Sequence, residues 1–294
     1  MSGTEQRNGR EIDKATDTAT TGHEWDGIKE LDTPLPRWWL WTFYGTIVFA
    51  VGYTIAYPAW PMISSATSGV LGYSSRANLD ASLDAAQQAQ GSMLAAISAT
   101  PVAEIVGDEQ LSRFARAGGE SMFKVYCSQC HGTGAAGAPG YPNLNDDEWI
   151  WGGTIEQIHD TISHGARDPV DMETHYNIMP NFGTDGLLPA DQIRTVARYV
   201  ASFTGIEGGE ATPEGAALFA DNCASCHGEA GGGMIDQGAP SLNDRIWLYG
   251  DTLPDIVAQI RSPRHGVMPA WGARLGDDAV KQLAVYVHGL GGGE

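Results

Sequence analysis

A pentapeptide that occurs twice sets the frame for the whole chain. CSQCH at Cys127–His131 returns as CASCH at Cys223–His227, 96 residues later, and it brings its surroundings with it. Gly119 and Phe123 recur as Gly215 and Phe219. PNLNDDEW at Pro142–Trp149 recurs as PSLNDRIW at Pro240–Trp247. MPNFG at Met179 recurs as MPAWG at Met268, and Tyr199 has its counterpart in Tyr286. Landmarks in the same order at nearly the same interval define an internal repeat of about 90 residues, which is domain-sized. The joint is IEGGEATPEG, Ile206–Gly215, with the Gly and Pro of a linker.

Cys-x-x-Cys-His is the attachment signature of c-type heme. Two thiols on one helical turn can form thioethers to both vinyl groups of one porphyrin, and the next residue sets an imidazole over the iron. A structural zinc site needs four ligands, often two Cys-x-x-Cys pairs in one module. Here the pairs fall in separate copies, each followed at once by His. A thioredoxin-like pair needs a βαβ context that is not visible. Two covalently bound heme c groups are therefore expected, on Cys127, Cys130 and His131 and on Cys223, Cys226 and His227.

The sixth iron ligand is read from Met179 and Met268, each in Met-Pro, 48 and 41 residues after the respective His. A thioether opposite imidazole raises the heme potential. Met172 is a rival in the first copy, without a counterpart in the second. Met62, Met93, Met122 and Met234 read as core gap-fillers. The spacing leaves open whether each Met serves its own copy or the two are exchanged. The carbonyls of Pro142 and Pro240 are candidate acceptors for the second ring N–H of each ligating His. Trp149 and Trp247 either reach a propionate or fill the core. His164 and His265 either reach a propionate or sit in surface loops. His23, His159, His175 and His288 read as structural or solvated.

Each copy reads as helical. Gly119-x-x-x-Phe123 and Gly215-x-x-x-Phe219 lead into the heme turn, and Ala190–Phe203 and Asp277–His288 are amphipathic closing helices. A Gly facing Tyr199 or Tyr286 lets first and last helices pack closely. This arrangement resembles class I cytochrome c.

Trp38–Trp60 is a run of 23 residues without a charge. Twenty helical residues span about 30 Å, the thickness of the bilayer's hydrocarbon core. Trp38, Trp39 and Trp41 crowd one end, and Tyr53, Tyr57 and Trp60 the other, as interfacial aromatics do. The run starts too late and is too long for a cleaved signal peptide, so an uncleaved anchor is expected. Lys29 and Arg37 precede it and residues 61–75 carry no Lys or Arg, which by the positive-inside rule puts the N-terminus in the cytoplasm and the repeats outside. The Ala-, Ser- and Gln-rich stretch after it is either a helix or a flexible spacer.

The domain plan is thus 1–37, a polar cytoplasmic segment; 38–60, the anchor; 61–110, a partly helical spacer; 111–205 and 206–294, two cytochrome c domains. The fold class is all-α, a single N-terminal transmembrane helix followed by two tandem class I cytochrome c domains. Lys plus Arg number 17 against 36 Asp plus Glu, a net charge of −19, which argues against nucleic acid as a partner. Residues 111–294 hold 11 basic and 23 acidic residues, net −12, which suits a basic donor protein through electrostatic steering.

DGIKELDTPLPRWW at Asp26–Trp39, one span, a spacer and two heme motifs with MPNFG and MPAWG together resemble the CcoP (FixP) subunit family of cbb3-type cytochrome c oxidases over nearly the full length. The resemblance implies a diheme electron-transfer subunit, without a catalytic site of its own, in the bacterial inner membrane. It implies a soluble periplasmic cytochrome c as donor, and as acceptors a monoheme cytochrome c subunit and the heme–copper catalytic subunit. Two other readings use the same motifs. A diheme subunit of a periplasmic dehydrogenase has no use for the Asp26–Trp39 segment, and a diheme peroxidase needs an open iron position, against which a Met in each copy argues.

Overall fold

The computed structural model describes residues 6–7 and 10–292, which form two compact units, one up to Ala86 and one from Gln87 onward. The fold is mostly helical.

The first unit begins with a small antiparallel sheet in the order β1 (Gln6–Arg7), β2 (Arg10–Asp13), β3 (Thr18–Trp25), β4 (Ile28–Leu31). The polar segment 1–37 thus carries strands that its composition did not suggest. The overlooked signal is Asp26-Gly27. Both residues take positive φ, 50° and 85°, and close a two-residue hairpin in which Trp25 pairs with Ile28. Lys29 pairs with Glu11 at 2.6 Å and Arg10 with Asp32.

Helix α1, Arg37–Ala56, is long and apolar enough to cross a membrane, with none of its side chains buried within the protein. It stops short of the expected Trp60. Tyr57 is extended (φ −117°, ψ 162°) because the ring of Pro58 disfavours helical backbone in the preceding residue. The chain then folds back over the helix end. The N–H groups of Val70 and Leu71 donate to Ile55 O and Ala56 O at 2.9 and 3.1 Å, satisfying carbonyls a helix end leaves open. Gly69 permits this: its φ is +69°, and a Cβ there would lie 2.4 Å from Ala56 O.

Helix α2, Ser75–Ala99, is 25 residues long and covers half of the segment 61–110, although only Ile97 of it is buried. The second unit continues with α3 (Val102–Gly107), α4 (Glu109–Tyr126), α5 (Ser128–His131), α6 (Ile155–His164), α7 (Ala190–Thr204), α8 (Pro213–Asn222), α9 (Ala224–His227), α10 (Leu253–Arg261), α11 (Gly272–Leu275) and α12 (Asp277–His288). Caps mark several starts: Asp108 accepts from Gln110 N and Leu111 N before α4, and Thr154 with Gln157 forms a capping box before α6.

Two hydrophobic cores result, and neither is one sequence repeat. The first joins Ile105, Phe123, Ile158 and Ile162 to Val280, Leu283 and Val287 of α12. The second joins Phe182, Ile193, Val196 and Val200 to Phe219, Ile256 and Ile260. The opening helix of the first copy (α4) therefore packs on the closing helix of the second (α12), and α7 packs on α8. Gly119 lies under Tyr286, whose Cβ would be 2.7 Å from an added methyl, and Gly215 lies under Tyr199 at 2.8 Å. The segments 111–205 and 206–294 are repeats of sequence whose closing segments are exchanged in packing. The physical reason is the connection. Only residues 205–212 separate α7 from α8, and helices joined by so short a link pack as antiparallel neighbours.

Candidate heme sites

Each Cys-x-x-Cys-His forms the turn that follows a long helix. The chain leaves α4 at Cys127, and α5 places Cys130 and His131 within one turn of it; Cys223 and α9 repeat this after α8. Gly132 and Gly228, at φ 79° and 77°, then turn the chain away. The loops beyond return over the imidazoles. Gly137 N donates to His131 O at 2.8 Å and Gly233 N to His227 O at 2.9 Å. Asn145 Nδ2 and Asn243 Nδ2 pin the loops through Gly134 O and Ala230 O at 2.8 and 3.1 Å. The roles of these glycines and asparagines were not singled out from sequence, although all three positions recur in both copies.

The loops carry Pro142 and Pro240 into place. His131 Nδ1 lies 3.0 Å from Pro142 O and His227 Nδ1 lies 2.9 Å from Pro240 O. The carbonyl fixes the tautomer, with the proton on Nδ1 and the Nε2 lone pair free for a metal. Burial holds both imidazoles below the ordinary value, against the opposing pull of the proline carbonyls. Burial likewise pushes the thiols of Cys127 and Cys223 up to about 11, with a smaller contribution from the neighbouring cysteine. Neutral thiols and neutral imidazoles are the forms present at pH 7.

The methionines follow the exchange of the cores. Met268 packs against the first core together with Cys127. Met179 packs against the second, and lines a cavity of about 650 Å³ with Cys223, Cys226, His227 and Trp247. Hydrogen bonds from the backbone hold both segments. Met268 N donates to Ala166 O at 2.9 Å and accepts in return at its own carbonyl at 3.0 Å, while Met179 N donates to His265 Nε2 at 3.0 Å. A thiol pair, an oriented imidazole and a thioether around a cavity of ligand-binding size fit a covalently attached heme.

Other candidates find different places. Met172 is 96% exposed, in no position to serve a buried iron. Met122 packs against the first core, but Met62 and Met234 are exposed and are not core gap-fillers. Met93 Sδ meets Gln110 Nε2 at 3.8 Å. The Trp149 indole N–H donates to Gly292 O, so this side chain ties down the C-terminal turn while filling the first core. Trp247 packs against the second core. His164 meets Asp171 at 3.2 Å rather than facing either heme turn, His159 pairs with Asp277 at 3.0 Å, and His175 stacks on Trp151. His265 is exposed in the loop after α10, as its surface reading expects, and its ring accepts from the backbone N–H of Met179.

Two such turns on two helical cores define the class as a c-type cytochrome. Residues 17–64 match a family model described as the N-terminal domain of cytochrome oxidase-cbb3, FixP. Residues 115–200 and 210–287 match one described as cytochrome c oxidase, cbb3-type, subunit III. A cbb3-type cytochrome c oxidase subunit FixP of Sinorhizobium medicae is 52% identical over 286 residues, covering 97% of this chain and 98% of that one. The subunit CcoP of Cereibacter sphaeroides is 50% identical over 282 residues, 96% and 97% of the two chains. The chain belongs to the FixP/CcoP family of cbb3-type cytochrome c oxidase subunits, and its work is electron transfer rather than the oxygen chemistry of the catalytic subunit.

Proposed function

We propose that this chain holds two heme c groups and passes electrons one at a time from a soluble periplasmic cytochrome c, through a monoheme cytochrome c subunit, to the heme–copper subunit of the oxidase. The observation that carries this is that a proline carbonyl orients the imidazole of each heme turn while a methionine packs in the same core as that turn's first cysteine. Bound heme supplies reversible one-electron Fe(III)/Fe(II) chemistry. The protein supplies the rest. Cys127 and Cys130 tether the first group, Cys223 and Cys226 the second. His131 and Met268 ligate at the first site, and His227 and Met179 at the second. A thioether favours Fe(II) and raises the potential. Ligation by both methionines would leave neither iron open to peroxide, which suits electron transfer.

Helix α1 is the membrane anchor, with the N-terminal sheet on the cytoplasmic side and the heme cores in the periplasm. The acidic surface of the heme-bearing part speeds encounter with a basic donor at low salt.

The test is a reduced-minus-oxidised spectrum, with and without carbon monoxide, of the tagged chain purified from its native membrane in mild detergent, together with a heme count. Two heme c per chain, accompanied by heme b and a carbon-monoxide-sensitive signal, is the expected result. Heme c alone, or with a flavin or quinone cofactor, overturns the oxidase reading in favour of a dehydrogenase.

A further inference from the structure

Arg167 stands apart from the other arginines. Of those whose side chains are described, it alone is not exposed. It lies in the connection after α6, with φ of +56°, a backbone conformation a non-glycine residue adopts only when its surroundings hold it there. Burial lowers its affinity for the proton. In a chain with 36 acidic residues it has no carboxylate partner among the described residues. Its guanidinium lies 6.0 Å from the centre of the Trp151 ring, and its hydrogen bonds go to carbonyls. Nε donates to Gly266 O at 2.6 Å and Nη1 to Asn177 O at 3.2 Å.

The positions of those two carbonyls matter. Gly266 stands two residues before Met268, and Asn177 two residues before Met179. One guanidinium therefore grips both methionine segments where they cross between the cores. Only two of its five N–H bonds are engaged, and the side chain lines the cavity that holds Met179 and His227. A half-buried guanidinium with spare donors and no counter-charge, on the wall of that cavity, calls for an anion there. A heme carries two propionate carboxylates, and the planar fork of Arg suits a carboxylate.

We propose that Arg167 is a positioning residue that couples the two heme centres, holding both methionine segments at once and serving as counter-ion to a heme propionate in the cavity. This rests on the His/Met ligation proposed above. A positive charge so placed disfavours Fe(III), and the shared grip makes both sites respond to one substitution.

The experiment uses the heme-loaded full chain in detergent, with Arg167→Gln and Arg167→Lys. Arg198→Gln is the control, because Arg198 is exposed and paired with Glu210. Both hemes are followed by potentiometric titration and by the methionine–iron charge-transfer band. The wild type shows the band at both hemes; its absence there overturns the ligation reading before any variant is compared. Arg167→Gln shifts the Fe(III)/Fe(II) ratio of both hemes at least tenfold toward Fe(III) at a fixed potential, about 59 mV for a one-electron couple, and weakens the band at both. Arg167→Lys recovers the potentials in part, through its charge, but not the band, because it lacks the fork. A shift no larger than that of Arg198→Gln, or a response confined to one heme, overturns the proposal while leaving the ligation reading intact.

Discussion

The exchange of closing segments can be measured through two aromatic residues. Phe123 of α4 is fully buried, and its ring centroid lies 5.3 Å from that of Tyr286 in α12, at 52°. The equivalent pair, Phe219 with Tyr199, is 5.7 Å apart at the same angle. Without exchange, Phe123 would meet Tyr199 instead. Replacing each residue by Leu singly and in pairs gives two double-mutant cycles for Phe123, one with Tyr286 and one with Tyr199. Each single substitution is expected to cost about 1–3 kcal/mol. A tilted aromatic pair adds roughly 0.5–1.5 kcal/mol beyond its buried area, so the Phe123/Tyr286 cycle should show a coupling of that size. Phe123 and Tyr199 sit in different cores, so their effects should add within about 0.3–0.5 kcal/mol.

The assay is guanidinium unfolding of the heme-loaded chain in detergent, followed by tryptophan fluorescence and heme absorbance. Each core contains segments of both repeats, so neither can melt without releasing part of the other, and the two signals should move in one transition. A coupling at Phe123/Tyr199 together with strict additivity at Phe123/Tyr286 would refute the exchange.

Three further outcomes follow from the same packing. Met179→Leu should open the heme attached at Cys223 and Cys226 to carbon monoxide, and Met268→Leu the heme at Cys127 and Cys130, as read in single-heme backgrounds, each with a stability cost below about 1.5 kcal/mol because volume is nearly kept. Gly119→Ala should lower the unfolding midpoint more than Gly215→Ala, because the new methyl at Gly119 meets backbone, Gln282 O at 2.1 Å, whereas at Gly215 the nearest atom is a side-chain carbon at 2.8 Å; overpacking of this kind costs about 1–3 kcal/mol. Burial raises the Glu148 carboxyl above its ordinary 4.5, with the Asp244 charge adding to the rise and the Ser241 N–H opposing it; a raised carboxyl favours the fold below pH 4.5 and loses that contribution as pH climbs through the folded value, so Glu148→Gln should stabilise the chain at pH 7 in denaturant titrations, with the gain vanishing below pH 4.5.

Much of the site was legible because its chemistry is local. Cys127, Cys130 and His131 must share a turn, and the proline carbonyls lie 11 and 13 residues on, within reach of one loop. The end of α1 was legible in principle from Pro58, and the hairpin from Asp26-Gly27, but hydropathy and overall polarity drew attention away from both. The roles of His265 and Arg167 were not legible. Each acts on a methionine segment from the other sequence copy, and no local pattern records a partner 86 or 99 residues away.

The exchange itself hides behind the repeat. Gly119, Phe123 and Tyr199 recur as Gly215, Phe219 and Tyr286, so the landmark residues satisfy either pairing of opening and closing helices. Only residues that break the symmetry can choose between them. One turn before Tyr286 stands Gln282, and one turn before Tyr199 stands Thr195. Beside Gly119 stands Gly118, and beside Gly215 stands Glu214. In the structure Gln282 fills the space over Gly118, where an added Cβ would lie 2.0 Å from its Oε1, and the carbonyl of Thr195 lies over Gly215, 3.3 Å from an added Cβ. The Gln282 side chain thus occupies the room that Gly118 leaves at the first interface, whereas Glu214, the counterpart of Gly118, is exposed at the other. Pairing within each repeat would bring Glu214 to the register of Gln282 and remove the room that Gly118 leaves for its side chain, a crowding that is costly in a packed protein. The short joint between α7 and α8 and the fit of Gln282 over Gly118 select the same pairing, and that pairing places each methionine in the core that holds the first cysteine of the other copy's Cys-x-x-Cys-His turn.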